Sequence, residues 1–381
     1  MNHTNQKTQD LDIDNSVVLE YSKPVNGVDM KGVVYHQDQC FFKGVQTPIE
    51  MTMSEADRNS FVIEPDQTIY ESHEGTLIRV FNINGKWYTS TNRRLDASTS
   101  KWASKHETFG QTFTKAIREI VSDDDEDEEI VDIDIPYREK MKTLNDRNTK
   151  FLSDVFDRNL SRDNKYLFIL KPTQEERIVC QSEPRPTIYH VGTFDKNDNP
   201  IDEDVVIDGN TVERPRQRTF TTFDELKTGM SQLNIRHHQG FLILSPNKVY
   251  KILHDSYKKL FDLRDNNPNL RLRYLQLRRY SCDNKIKQED FDTFTELYRF
   301  ETPGTDIENE IYELCIDLHA KYMKLYVEKT DSDSTIIENE VLRDIVHPAF
   351  VNSRIITTPT RINDLLLQQK PSYLNKLLKR K

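Results

Sequence analysis

The apolar residues of this 381-residue chain change their spacing partway along it, and that change limits the fold more than any other feature. From Val17 to about Asp265 they come in short runs bounded by turn residues, which read as strands. The runs are Gly32–Tyr35, Thr76–Phe81, Lys86–Thr91, Tyr166–Leu170, Arg177–Cys180, Thr187–Val191 and Gly240–Leu244. Asn84-Gly85 predicts a two-residue hairpin, because both residues tolerate the positive φ that matches strand twist. Helical spacing interrupts the strands near Thr108–Val121, Arg138–Ser161 and Thr222–Leu233. After about residue 266, Asp290–Phe300, Asp306–Val327 and Thr335–Ile345 carry apolar residues three and four apart. In the second of these, Ile307, Ile311, Leu314, Leu318 and Tyr322 share one helix face. The Pro348 and Pro359 region breaks the pattern, and Ile362–Leu367 and Ser372–Leu378 read as closing helices. The expected fold class is α+β followed by an all-α domain. The expected boundaries are a disordered tail at 1–15, a first domain at 16–265 and a helical domain at 266–381.

Charge sharpens this outline. The chain carries a formal −10, and nine of its negative charges fall in the twelve residues from Asp123 to Asp134. Such a run repels itself and cannot pack, so 122–134 is expected to be a solvated acidic loop. Residues 248–287 show the opposite bias, with eleven Lys/Arg against four Asp and with Tyr250, Tyr257, Phe261, Tyr274 and Tyr280 interleaved. Cations neutralise phosphates and aromatic faces stack on bases, so this mixture suits a nucleic-acid strand. A solvated helix face paired with the acidic loop is the plainer alternative. Cys40, Cys180, Cys282 and Cys315 lie far apart, which argues against a disulfide framework or structural zinc. No apolar run approaches the ~18 residues that span a bilayer, and the first 25 residues lack the basic start and apolar stretch of a secretory signal. An intracellular, cytoplasmic protein with no membrane partner is expected.

Phosphate loops of the GxxxxGK[ST] type, a GxGxxG turn and a GxSxG elbow are all missing from the sequence. The informative stretch is Tyr70–Trp102, where a strand end carries Ser72-His73-Glu74-Gly75-Thr76, followed by the hairpin and then Arg93-Arg94. Four more segments accompany it in order. They are Met30–Tyr35 with Phe41-Phe42, Leu167–Val179 (LFILKPTQEERIV), Gln239–Leu242, and Tyr250–Leu253 with Tyr257. Together they resemble the phage T4-type RNA ligase 1 family of covalent nucleotidyltransferases over roughly residues 30–265. The resemblance implies an antiparallel β core with flanking helices around a nucleotide cleft, of the RNA/DNA ligase type. It also implies ATP and Mg²⁺ as cofactors and RNA as partner. The degenerate pattern further resembles proteins of large cytoplasmic DNA viruses, which implies host cytoplasm or virion as location.

The departures fall on the chemistry. In that family a Lys-x-Asp-Gly-Ser strand supplies the lysine that attacks ATP, and here Ser72 stands at the lysine position. No lysine occurs between Lys43 and Lys86. Two family glutamates fall on Phe168 and Gln239, and the second of two closing lysines falls on Leu253. An amine nucleophile needs cations and metal to stabilise charge on the phosphoryl oxygens, and a serine hydroxyl is a poor substitute. No catalytic residue is therefore assigned. Lys31, Glu74 and Lys251 remain as nucleotide-binding candidates by that resemblance. Arg93, Arg94, Arg271, Arg273, Arg278 and Arg279 are the nucleic-acid candidates. Strand alternation turns His73 away from the face shared by Ser72 and Glu74, which disfavours it as a nucleophile. His237-His238 do not make a metal site, since neighbours on a strand point apart. The expected protein is an RNA ligase-like pseudoenzyme that binds nucleotide or RNA. The alternatives are an active ligase with a relocated nucleophile, and a structural or virion component, with a partner protein, whose cleft is filled by side chains such as Phe168.

Overall fold

The computed structural model describes residues 8–21, 30–102, 107–122, 136–174, 176–245, 248–301, 304–329, 340–353 and 357–379. The acidic run 123–134 lies outside them. Two compact units result, Met1–Phe261 and Asp262–Lys381, and the division falls inside one helix, Asp255–Arg264.

In chain order the first strands are β1 Thr8–Asp12, β2 Val17–Tyr21, β3 Met30–Lys31, β4 Val33–His36, β5 Gln39–Phe42, β6 Val45–Gln46 and β7 Ile49–Thr52. Next come β8 Thr68–Ser72, β9 Thr76–Ile83, β10 Lys86–Ser90, β11 Lys165–Leu170, β12 Ile188–Phe194 and β13 Pro200–Ile201. The last are β14 Val206–Ile207, β15 Asn210–Thr211, β16 Gln217–Arg218, β17 Gly240–Leu244 and β18 Val249–Leu253. One five-stranded sheet has the order β10-β9-β11-β12-β13, a second β16-β8-β17-β18-β7, and a four-stranded sheet β1-β2-β4-β5. Pairing is antiparallel except between β18 and β7. The fold is thus α+β with antiparallel sheets, followed by a helical unit.

Local chemistry explains the elements. Asn84 and Gly85 take φ of 54° and 85°, which closes the β9–β10 hairpin with Ile83 opposite Lys86. Helix α2 (Phe109–Val121, after α1 at Met53–Arg58) starts at a capping box between Thr108 and Gln111. Its buried face of Phe113, Ala116 and Ile117 packs with Val155 and Phe156 of α3 (Tyr137–Asn159) on Ile78, Val80, Tyr166, Phe168 and Leu170. The opposite face of that sheet meets Val17, Leu19, Val34 and Phe42. Helices α1 and α4 (Phe223–Ser231) cover the second sheet through Ala56, Leu226 and Met230 against Ile69, Phe241 and Ile243. Each Val, Leu, Ile, Phe or Met among these side chains contributes about 1.5–3 kcal/mol on burial.

The second unit begins with the end of α5 (Asp255–Arg264) and continues through α6 (Leu270–Cys282), α7 (Gln288–Leu297) and α8 (Gly304–Tyr322). Ile307, Ile311, Leu314, Leu318 and Tyr322 are all buried in its core, as their spacing predicts. Helices Pro359–Leu367 and Pro371–Leu378 close the unit.

Three expectations are corrected. Residues 8–15 of the proposed disordered tail are structured, because their carboxylates find donors. Asp10 accepts from Arg94 Nη1 (3.1 Å) and the Leu95 N–H (2.7 Å), and Asp12 accepts from Lys86 Nζ (2.6 Å) and Tyr88 Oη (2.8 Å). Residues 177–180 form no strand, and the N–H groups of Val179 and Cys180 serve a side chain described below. Pro348 does not break its helix. The preceding turn, Leu342–Val346, winds as a π-helix, whose wider spacing relieves the clash of a proline ring with an α-helical carbonyl.

Candidate functional site

The chain leaves one five-stranded sheet at Ser72 and enters the other at Thr76, so His73-Glu74-Gly75 is the crossing between them. Gly75 permits the crossing, since a Cβ there would lie 2.4 Å from the Leu170 carbonyl oxygen. Strand β8 ends at Ser72, so strand alternation stops one residue before His73 and does not govern it or Glu74.

Each residue of the crossing has a different fate. Ser72 is 8% exposed, and its hydroxyl donates to Gln239 Oε1 at 3.4 Å, beside the backbone bond from Gln239 N–H to Ser72 carbonyl at 2.8 Å. Ser72 and Gln239 are therefore brought together, with Leu253 across the ladder from Gly240. Leu253 packs with Val179, Cys180 and Tyr257, so apolar groups occupy that side. The Glu74 carboxylate is 2% exposed and accepts the Val179 N–H (3.0 and 3.1 Å) and the Cys180 N–H (2.5 Å). Burial raises its pKa, partly offset by those two N–H groups. This use of both N–H groups holds 179–180 out of strand pairing, and it leaves the Glu74 carboxylate engaged with backbone.

Phe168 is placed otherwise than expected. It lies under α2 with Phe113 and His190 at ring separations of 5.7 and 5.8 Å, so it belongs to the helix-covered core and does not fill a cleft beside Ser72.

Around the crossing the structure gathers cations and rings that composition alone did not single out. Lys171, whose side chain is 2% exposed, lies 3.7 Å from Glu183 and sets a positive charge near His73 and His238. The buried Glu71 carboxylate takes Arg218 (Nε 2.7 Å, Nη2 2.6 Å) and lies 3.5 Å from His238 Nε2. His73 stacks on Tyr189 with ring centroids 4.3 Å apart and planes 14° from parallel, and His238 lies 4.8 Å from His73. Burial, then the charges of Lys171, His238 and His237, push the His73 pKa down to about 3, so the ring is neutral near pH 7. Arg216 lends its carbonyl to the Glu71 N–H, and Arg236 lends its own to the Gln181 N–H. Both arginine side chains are exposed, and neither guanidinium meets a partner among the described residues. The signals in sequence were the runs Arg214-Pro215-Arg216-Gln217-Arg218 and Arg236-His237-His238. His237 and His238 lie in a turn with rings 6.4 Å apart, and no group of three metal-ligating residues occurs among the described residues.

The remaining candidates lie elsewhere or are engaged. Lys31 sits on the short β3–β6 ladder next to Gly32, whose carbonyl accepts from the buried Arg79. Lys251 pairs with Glu50 at 3.3 Å. Arg93 lies over the Tyr21 ring and donates to its hydroxyl at 3.2 Å, and Arg94 pairs with Asp10. In the helical unit Arg271 is bidentate on Glu310, and Arg278 is bidentate on Glu308 at 2.5 and 2.7 Å. Arg273 binds the Leu263 and Asp262 carbonyls, and Arg279 the Leu367 and Gln369 carbonyls. The expected open cationic surface on 271–279 is thus a set of internal bonds.

No family model matches the chain. It is 28% identical over 377 residues to the immediate-early protein ICP-46 homolog of Invertebrate iridescent virus 6, covering 92% of this chain and 77% of that one. It is 27% identical over 216 residues to immediate-early protein ICP-46 of Frog virus 3 (isolate Goorha), covering 56% of this chain and 50% of that one. A homolog from Invertebrate iridescent virus 3 is 24% identical over 314 residues, covering 81% and 61% respectively. Among solved structures the chain is similar to an archaeal ATP-dependent RNA ligase in two forms, with TM-scores of 0.39 and 0.41 and 11% identity. Those pairs cover 80% and 79% of this chain and 70% of each of the others. The likeness is one of outline at these values. No helix among the described residues is long and apolar enough to cross a membrane.

Proposed function

We propose that this chain is an RNA ligase-like pseudoenzyme of the phage T4-type group, which holds RNA or a nucleotide at the β8 crossing without forming a covalent adenylate. One observation carries the reading. At the strand end where an amine would stand there is a hydroxyl, Ser72, tied to Gln239, while the crossing beside it carries the exposed Arg216 and Arg236, the charge of Lys171 near His73 and the stacked His73–Tyr189 pair. Exposed guanidiniums suit phosphates, and stacked rings mark a surface on which a base stacks. The residues present do not fit ATP with Mg²⁺ in its usual covalent role. Gln239 stands beside Ser72 where the resemblance puts a carboxylate, and the Glu74 carboxylate is engaged with backbone. We place the protein in the host cytoplasm or the virion, in line with the viral sources of its relatives.

Intact mass after incubation with Mg²⁺ or Mn²⁺ and ATP or GTP tests the first half, and no nucleoside monophosphate adduct is expected. Labelled single-stranded RNA tests the second, with salt-dependent binding expected. An adduct overturns the loss of catalysis, and no RNA shift overturns the binding role. The apolar packing of Leu253, Val179, Cys180 and Tyr257 supports a second reading, a structural or virion component that keeps only the fold. That reading predicts neither adduct nor RNA shift, and a stoichiometric protein partner instead.

A further inference from the structure

Helix α8 is apolar on two faces. One lies in the core of the helical unit through Ile307, Ile311, Leu314, Leu318 and Tyr322. On the opposite side Tyr312 is 59% and Ile316 42% exposed, and the exposed Ala320 continues the row. A helix buried on one side only is polar on the other, so a second apolar row belongs to a helix covered on both sides. Single exposed apolar residues need no explanation, but these recur every four positions and form one ridge.

The charges beside this ridge fall in a definite order. From Ile311 to Leu325, about two turns to either side of Leu318, the acidic residues are Glu313 and Asp317 and the basic ones Lys321 and Lys324. Acid comes first and base second. Lys324 is exposed, and its ammonium meets no partner among the described residues. The segment is neutral as a whole, so a uniformly basic or a uniformly acidic surface would meet like charge at one end of it. A surface that presents base opposite acid, in reversed order, meets like charge at neither end. The same helix laid antiparallel is such a surface.

We infer that this ridge of α8 docks on the same ridge of a second copy of the chain, about a two-fold axis at the level of Leu318. Glu313 of each copy then stands level with Lys324 of the other, and Asp317 with Lys321. Ile316 stands level with Ala320, large against small. A parallel pair would set Glu313 beside Glu313. Ridges of four-residue spacing interdigitate at a crossing angle of about −50°, which confines contact to the turns around Leu318. The interface is the same patch on both copies and therefore closes at two. Its charges set direction and register, and its apolar ridge sets the affinity. A single helix crossing lies at the small end of interface sizes, so association is expected at micromolar concentrations.

Sedimentation velocity of the full chain over a concentration series tests this, with a monomer–dimer equilibrium expected. Ile316→Glu, outside the core, is expected to weaken association about tenfold with an unchanged helical circular dichroism signal. Glu313→Lys and Lys324→Glu are each expected to weaken it as well, because like charges then meet twice. Mixing those two variants restores both contacts between unlike chains, so the mixture is expected to associate more tightly than either variant alone. A monomer at every concentration would assign the ridge to some other protein and overturn the proposal. A dimer indifferent to Ile316→Glu would place the contact elsewhere, and a mixture no tighter than its components would refute the antiparallel pairing; either overturns it too.

Discussion

The chain contains two arginine-rich regions that look alike on paper and are opposite in structure. On α6, Arg271 and Arg278 face Glu310 and Glu308 of α8, while Arg273 and Arg279 take backbone carbonyls, so the guanidiniums knit helices together. At the β8 crossing, Arg216 and Arg236 give the fold only their backbone and leave their charge outside. The first region has the denser positive charge in sequence, yet the second is the better candidate for an external anion. Charge density therefore does not tell which guanidiniums stay outside, and the supply of acidic partners and carbonyls on neighbouring helices does. Glu308 and Glu310 lie 30 or more positions from the arginines they receive, too far for any local window to reveal.

The largest effect expected from this contrast belongs to the helical unit. Arg278→Ala leaves the carboxylate of Glu308, 40% exposed, without its main partner and is expected to destabilise this unit by roughly 2 kcal/mol, below the range for a fully buried pair. Urea unfolding measures it, with RNA affinity unchanged. Next comes the Arg216→Ala/Arg236→Ala double variant. It is expected to lose about tenfold in single-stranded RNA affinity and to flatten the log–log salt dependence by about 1.4, with stability within about 0.5 kcal/mol of the parent. Equal RNA loss in both variants would erase the distinction between the regions.

A smaller effect concerns pH. Between pH 6.5 and about 3 the unfolded chain protonates His73 while the folded chain does not, so stability falls as pH drops through that window. His73→Asn is expected to remove about one proton from this dependence, read as a shallower slope of stability against pH. The smallest expected effect is none: Ser72→Lys is expected to show no mass gain with ATP and Mg²⁺. A gain there would show that a single amine suffices.

Much of the fold was legible where local rules decide it. Asn84-Gly85 marked the hairpin, and five residues from Ile307 to Tyr322 marked the buried face of α8. Failures came where a distant side chain decides local structure. Strand β1 forms because Arg94, Lys86 and Tyr88, more than seventy residues on, satisfy its aspartates. Residues 177–180 read as a strand in sequence, but Glu74 takes the N–H groups of Val179 and Cys180. At the site, the resemblance put Ser72, Phe168, Gln239 and Leu253 in one pocket, and the structure groups all but Phe168, whereas Lys171 and Tyr189 meet His73 only through the crossing of two sheets. No spacing rule reaches them.

The Glu74 carboxylate makes the loop and the crossing a single mechanical unit. Because it fastens residues 179–180, a change that freed it would also release the loop. An amine placed at position 72 would meet a neighbourhood packed around Leu253, Tyr257 and that fastening, so a substitution at one point of the crossing is felt at the loop as well.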